Sequence, residues 1–214
     1  MTIRHHLTDD ILMAYSAGQL PEAFSLVVAT HISLCDDCRA ALQAYDAIGG
    51  SLLEYSTGTP MTDASLDATL ARIAGSPRPQ QAVEQRRHGI FPAPLRDAVG
   101  GDLASVRWRP VGMGVRQAIL PAQGSATVRL LSIPAGQAVP DHGHSGMEMT
   151  LVLQGAFRDK NDRFQRGDIE IATEDLEHMP VAETGPDCIC LAATDAPLRF
   201  NRMFPRLLQP LFRI

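Results

Sequence analysis

The run His31-Ile-Ser-Leu-Cys35-Asp-Asp-Cys38 sets three soft or borderline metal ligands within eight residues. His31 and Cys35 stand four apart, so a helix carries them on one face. Cys38 follows after two residues, far enough to turn back and close on the same ion. Asp36 and Asp37 are good N-cap residues, which places Cys38 in the first turn of a new helix. There the helix dipole is expected to lower the thiol pKa and favour the metal-binding thiolate. A closed tetrahedral site needs a fourth ligand, and upstream only His6 or its neighbour His5 can supply one. A pair of buried cysteines beside a surface histidine is the plainer reading, but the His-x3-Cys-x2-Cys spacing fits zinc better.

Outward from this run the sequence reads as short helices. Thr8 is an N-cap followed by Asp9 and Asp10, with Leu7 and Leu12 at the positions of a hydrophobic staple. That helix should reach about Ala17 and stop at Gly18. Pro21 suits the first position of a second helix carrying Phe24, Val27, Val28 and Ile32. A third helix starts at Asp36 or Asp37, and Gly49-Gly50 should weaken or bend it before Leu52. A fourth, from Met61 to Ile73, sets Leu66, Leu70 and Ile73 on one stripe. Such helices are marginal alone in water, and a zinc ion is the kind of staple so thin a core uses. The apolar stripes suit either an internal core or a groove that clasps a partner.

The 214 residues carry a net charge of -5, which argues against a broad nucleic-acid surface. No apolar run is long enough to span a membrane, and the N-terminus lacks the apolar stretch of a signal peptide. Four cysteines in such a chain suggest metal or redox use, and the cytoplasm is the expected compartment. The stretch from Ala74 through Pro94 is polar and proline-rich, so a connector, assigned to residues 86–104, is expected between residues 1–85 and a second domain at 105–195. Within it, Arg86 and Arg87 read as solvated linker. Residues 196–214 form a basic, apolar tail, expected to pack on the second domain or on a partner.

Beyond Trp108 the pattern changes to short alternating strands bounded by Gly and Pro, which predicts a small antiparallel barrel or jelly roll. The chain is therefore expected to be two-domain, an all-α zinc-binding bundle followed by an all-β barrel. Inside the barrel region lies Gly136-x5-His142-x-His144-x3-Glu148-x6-Gly155. On a strand, His142 and His144 point to one side, and Glu148 opens the next strand after a tight Ser-Gly-Met connection. Two imidazoles and a carboxylate suit several divalent metals. This run is similar to the first cupin motif at every position. The second motif is degenerate: Gly167 and His178 hold its ends, but Thr173, Asp175 and Ala182 replace its usual Pro, Gly and Asn. His178 nevertheless completes a plausible site of three histidines and Glu148. Cys188 and Cys190, two apart on a strand, share a face; they read either as small buried residues or as redox-capable thiols beside the metal.

His6, twenty-four residues, and then His31-x3-Cys35-x2-Cys38 resembles the zinc-binding anti-sigma domain. With the barrel included, the resemblance is to the ChrR group of that family and covers nearly the whole chain. It implies a structural zinc at His6, His31, Cys35 and Cys38 and a 1:1 complex with an extracytoplasmic-function sigma factor. The helical domain would be wedged between the sigma regions that grip RNA polymerase. It further implies a cupin-like sensor domain, with zinc as the expected second metal, and release of sigma by singlet oxygen or organic peroxide. Neither enzymatic activity, DNA binding nor membrane contact is expected. The rival reading is a metal-dependent cupin enzyme, such as a dioxygenase, in which Glu148 acts as general base and the zinc module serves assembly.

Overall fold

A computed structural model describes residues 2–76, 89–197 and 199–200. Thr8 precedes the first helix, α1 (Asp9–Ser16), but its hydroxyl makes no capping bond to the backbone. It hydrogen-bonds the Asp10 carboxyl instead and holds it below the usual carboxylate range. Leu7 and Leu12 are both buried, as a staple requires. Gly18, at φ +67°, ends the element.

The second helix, α2 (Glu22–Ile32), follows Pro21 at its N-cap, one position earlier than expected. The third, α3 (Asp36–Glu54), is capped by neither aspartate: Cys35 is the N-cap residue, and its sulfur accepts the Cys38 N–H at 3.5 Å. It runs unbroken through Gly49 and Gly50, since each glycine weakens a helix by only about 1 kcal/mol and keeps its place in the hydrogen-bond ladder. In α4 (Ser65–Gly75) no residue is buried. A fifth helix, α5 (Ala93–Val99), occupies part of the stretch read as connector and packs on α2 through the fully buried Leu95. Residues 77–88, with Arg86 and Arg87, lie outside the described residues.

After a 3-10 turn at Leu103–Ser105 come twelve described strands. In chain order they are β1 (Arg109–Gly112), β2 (Val115–Leu120), β3 (Thr127–Ile133), β4 (His142–Gly143), β5 (Glu148–Gln154) and β6 (Ala156–Arg158). Then follow β7 (Arg163–Gln165), β8 (Ile169–Ala172), β9 (Glu177–His178), β10 (Val181–Ala182), β11 (Cys188–Thr194) and β12 (Arg199–Phe200). A six-stranded sheet in the order β1-β2-β3-β11-β5-β8 faces two three-stranded sheets, β10-β6-β7 and β12-β4-β9. All pairings are antiparallel, as in a jelly roll. Of the tail, β12 pairs with β4; residues 201–214 lie outside the described residues.

The large sheet is apolar on both faces. Leu130, Leu191 and Leu151 lie side by side across β3, β11 and β5 and belong to one core with Phe24, Val27 and Val28 of α2. One residue along, Cys190 stands beside Val152 in a second core with Phe157 and Phe164, inside the barrel. The period-two alternation of strands puts successive residues into these two cores. The helical half thus completes its core against the outside of the barrel.

Phe24→Ala should therefore destabilise the whole chain by roughly 3–5 kcal/mol, read as an earlier urea midpoint. Barrel and helix signals should move together, and separate transitions would show that the two halves do not share this core.

Candidate metal centres

The end of α2, the turn after it and the start of α3 bring His31, Cys35 and Cys38 together, and the segment before α1 brings in His6. His6 Nδ1 lies 3.3 Å from Cys35 Sγ and 3.6 Å from Cys38 Sγ, and His31 Nε2 is 3.3 Å from Cys38 Sγ. A tetrahedral zinc with ordinary Zn–S and Zn–N bonds sets such N···S edges at about 3.5 Å. These three edges match such an ion, and all four donor atoms lie within 4.8 Å of one another. The choice between His5 and His6, open from spacing alone, is made by direction: His5 turns away, its Nε2 2.9 Å from Asp162 Oδ2.

Burial sets the protonation of His31 and Cys38. His31 is pushed down to about 4, first by burial and then by His6, while Gly167 and Asp168 of the β7–β8 turn act the other way. The ring is neutral at pH 7, as a ligand must be. Cys38 does lie in the first turn of α3, but its pKa is pushed up to about 12, contrary to the helix-dipole expectation. Removal from water outweighs the dipole there, so the thiolate needs a cation beside it.

The barrel gathers a second group. His142 on β4 pairs across the ladder with His178 on β9, and His144 follows one residue after β4. Their ring centroids are 4.8 to 5.3 Å apart, and all three are buried. His144 Nε2 and His178 Nε2 are buried without a hydrogen-bond partner among the described residues, an arrangement that a bound metal resolves. Glu148 stands beside this triad, its Oε2 3.9 Å from His144 Nδ1 and its Oε1 accepting from Thr150 at 3.0 Å. Burial lowers the pKa of His142, and it takes His144 down to about 4.

Two residues beside His178 escaped the sequence reading. Its Nδ1 lies 3.2 Å from Glu170 Oε1 and 3.3 Å from Asp159 Oδ2, leaving Nε2 for the triad. Burial disfavours its imidazolium, yet Glu170, Glu148 and Asp159 together outweigh that, and its pKa is raised. Glu170 carried a signal, a charge at an inward position of the strand Ile169-Glu-Ile-Ala; Asp159, in a polar run, carried none. Cys188 and Cys190 lie in the barrel interior with their sulfurs 3.5 Å apart. The Cys190 thiol is pushed up, first by its hydrogen bond with Cys188 and then by burial.

Residues 96–196 match the family described as the ChrR cupin-like domain, a span that includes His142, His144, Glu148 and His178. The anti-sigma-E factor ChrR of Cereibacter sphaeroides is 61% identical over 217 aligned residues, covering 100% of both chains. The chain belongs to the ChrR family of anti-sigma factors. A crystal structure of Rhodobacter sphaeroides SigE in complex with the anti-sigma ChrR superposes with a TM-score of 0.80 at 60% identity, covering 91% of this chain and 100% of that one. The ChrR likeness thus takes in the helical half as well as the barrel, and with it the cluster of His6, His31, Cys35 and Cys38. No helix among the described residues is long and apolar enough to cross a membrane.

Acid should weaken the metal-free ChrR-family fold at the first centre. His31 has an unfolded value near 6.5 and a folded value of about 4, so between these the unfolded chain binds the extra proton. Stability then falls as pH drops from 6.5 towards 4, by up to about 3 kcal/mol from this residue, and the loss levels off below. Urea titrations of metal-free wild type and His31→Gln at pH 7 and pH 4.5 check this. Equal acid losses in the two proteins would exclude His31 as the cause.

Proposed function

We propose that this chain sequesters an extracytoplasmic-function sigma factor in the cytoplasm as a 1:1 complex and frees it under reactive oxygen. The observation that carries the reading is the surface of α3 and α4. Leu52, Leu53 and Tyr55 near the end of α3, and Leu66, Leu70 and Ile73 on α4, are all more than half exposed. Large apolar side chains left uncovered in numbers on two helices mark a protein-binding surface. It belongs to a chain whose relative is an anti-sigma factor, and a close structural match is held in complex with SigE. A clasp that covers these residues blocks the sigma factor from polymerase by occlusion, and no catalytic step is needed.

On this reading His6, His31, Cys35 and Cys38 hold a structural zinc, which would supply a closed cross-link between the N-terminal segment, α2 and α3. His142, His144, Glu148 and His178 hold a second divalent metal, zinc on this proposal, and form the sensing site. Glu170 and Asp159 fix the His178 ring so that its Nε2 faces the other two imidazoles. The signal, singlet oxygen or an organic peroxide, acts by favouring the released state over the bound one. Cys188 and Cys190 are the redox-capable pair of the same interior. The rival reading of a cupin enzyme gains no observation of its own.

In vitro transcription with a sigma factor of this group from the same organism tests the proposal. The full chain should inhibit at about equimolar ratio, since a stable complex leaves little sigma free. Leu66→Asp with Leu70→Asp should raise the required dose at least about tenfold without lowering the melting temperature, the scale of losing a buried apolar anchor pair. Cys35→Ala should lose both zinc and inhibition. His142→Ala should inhibit but fail to release when peroxide is added. Cys188→Ser with Cys190→Ser assigns the thiols to packing if release persists. A full chain loaded with metal that inhibits none of the organism's sigma factors of this class would end the proposal.

A further inference from the structure

The two metal centres are joined by a continuous set of polar contacts through a segment that belongs to neither. Residues before α1 lie along the edge of the barrel. The Gln165 side chain donates to the Thr2 carbonyl at 3.1 Å, and the Ile169 N–H donates to the His5 carbonyl at 3.3 Å. Asp168, fully buried, accepts the backbone N–H groups of Arg4 at 2.7 Å and His5 at 3.1 Å. Gly167 makes this approach possible, because a Cβ there would stand 2.7 Å from Ile3 Cδ1. The next residue after His5 is His6, a donor of the first cluster.

From the barrel side the path starts at His178. Its Nδ1 meets Asp159 Oδ2 at 3.3 Å, and Asp159 Oδ1 accepts the N–H groups of Asn161 and Asp162 at 2.7 and 2.9 Å. Asp159 thereby ties the β6–β7 turn to a member of the triad. The other end of that turn, Asp162 Oδ2, lies 2.9 Å from His5 Nε2, and the His5 ring packs on Phe164 with centroids 4.4 Å apart. A second arm runs beside it, from His178 to Glu170 on β8, whose neighbour Ile169 holds the His5 carbonyl. A cleft of about 410 Å³ opens between the two halves here, lined by His5 and His6 on one side and by Asp159, Phe164 and Glu170 on the other.

We propose that His5 and the turn Asp159–Asp162 couple the two centres, so that displacement of His178 in the barrel shifts His6 at the cysteine cluster. His5 is then a positioning residue for the first centre, not a ligand of it. The inference rests on the reading of both clusters as metal centres and supplies a physical route by which the barrel acts on the sigma-binding half. A route of this kind is a coupling free energy, so it is reciprocal and measurable without the sigma factor. A cycle of variants measures it.

The test uses the full chain carrying Cys188→Ser and Cys190→Ser and reconstituted with cobalt(II), so that thiolate charge-transfer absorption reports the centre of Cys35 and Cys38 alone. The rate of cobalt loss from that centre to a chelator is measured in this parent chain and with His144→Ala added, which weakens the barrel triad. Coupling should make the loss at least about fivefold faster in His144→Ala, the lower end of ordinary coupling between sites. In the background of His5→Ala or Asp162→Ala, the same change should have less than about a twofold effect. Thermal melts identify any variant that does not fold. Asp162→Ala, at an exposed turn, keeps the test decisive if His5→Ala unfolds. A parent chain insensitive to His144→Ala, or an effect that survives both bond-breaking variants, would overturn the proposal. A coupled chain that inhibits no sigma factor would instead sink the functional reading and leave the coupling standing.

Discussion

The fold depends on covering a sheet that is apolar on both sides. Leu130, Leu151 and Leu191 face outward from β3, β5 and β11, while Val152, Cys188 and Cys190 face inward. An antiparallel sheet with one wet face would alternate polar and apolar residues, and these strands do not. The inner face is closed by the smaller sheets. The outer face is closed by α2, which also carries His31 at its last turn. The position of the first metal cluster is therefore set by the demand of the barrel for a lid.

Much of this was legible in the sequence because it is local. His-x3-Cys-x2-Cys needs only the pitch of a helix and one turn to converge, and His142 and His144 need only the pleat of a strand. Cap and stop residues placed α1 and α2 within a residue, and the short runs bounded by Gly and Pro beyond Trp108 marked the strands. What stayed hidden is what long-range packing decides. Nothing in the proline-rich composition of residues 86–104 announces that Leu95 will be buried against α2. The helix-dipole argument for Cys38 was sound as local physics, but burial, which sequence does not show, reverses its sign. Adjacent histidines at 5 and 6 are equivalent by spacing, and only the carboxylates of Asp162 and Asp168 on the barrel separate their roles.

The contrast between α2 and α4 separates a core face from one left uncovered among the described residues. Both carry apolar stripes with helical spacing, and sequence cannot rank them. In α2 the stripe is sealed, with Phe24, Val27 and Val28 at most 1% exposed; in α4 Leu66, Leu70 and Ile73 are 53 to 66% exposed. The difference comes from what each helix meets. The sheet offers α2 an apolar face, whereas α4 has no buried residue of its own. A helix whose apolar side has no intramolecular cover is stabilised when a partner supplies one.

The sealed stripe also limits how a signal can work. Lifting α2 from the sheet would expose Phe24, Val27 and Val28, each at a cost of about 1.5–3 kcal/mol, besides the leucines beneath them. A ligand or modification shifts an equilibrium only by its differential free energy for the two states, ordinarily 1–3 kcal/mol between coupled sites. Separation of the two halves is thus too expensive a first step, and a change confined to polar contacts at their edge is not. The segment from Ile3 to His6 is such an edge: it is held by hydrogen bonds to Asp168, Ile169 and Asp162, and it ends on a donor of the cysteine cluster. Movement there leaves the shared core intact while altering the one cluster that ties α2, α3 and the N-terminal segment together. On the proposed reading, the architecture thus favours a signal that loosens the grip of the helices from the cysteine cluster, without unfolding the core that supports them.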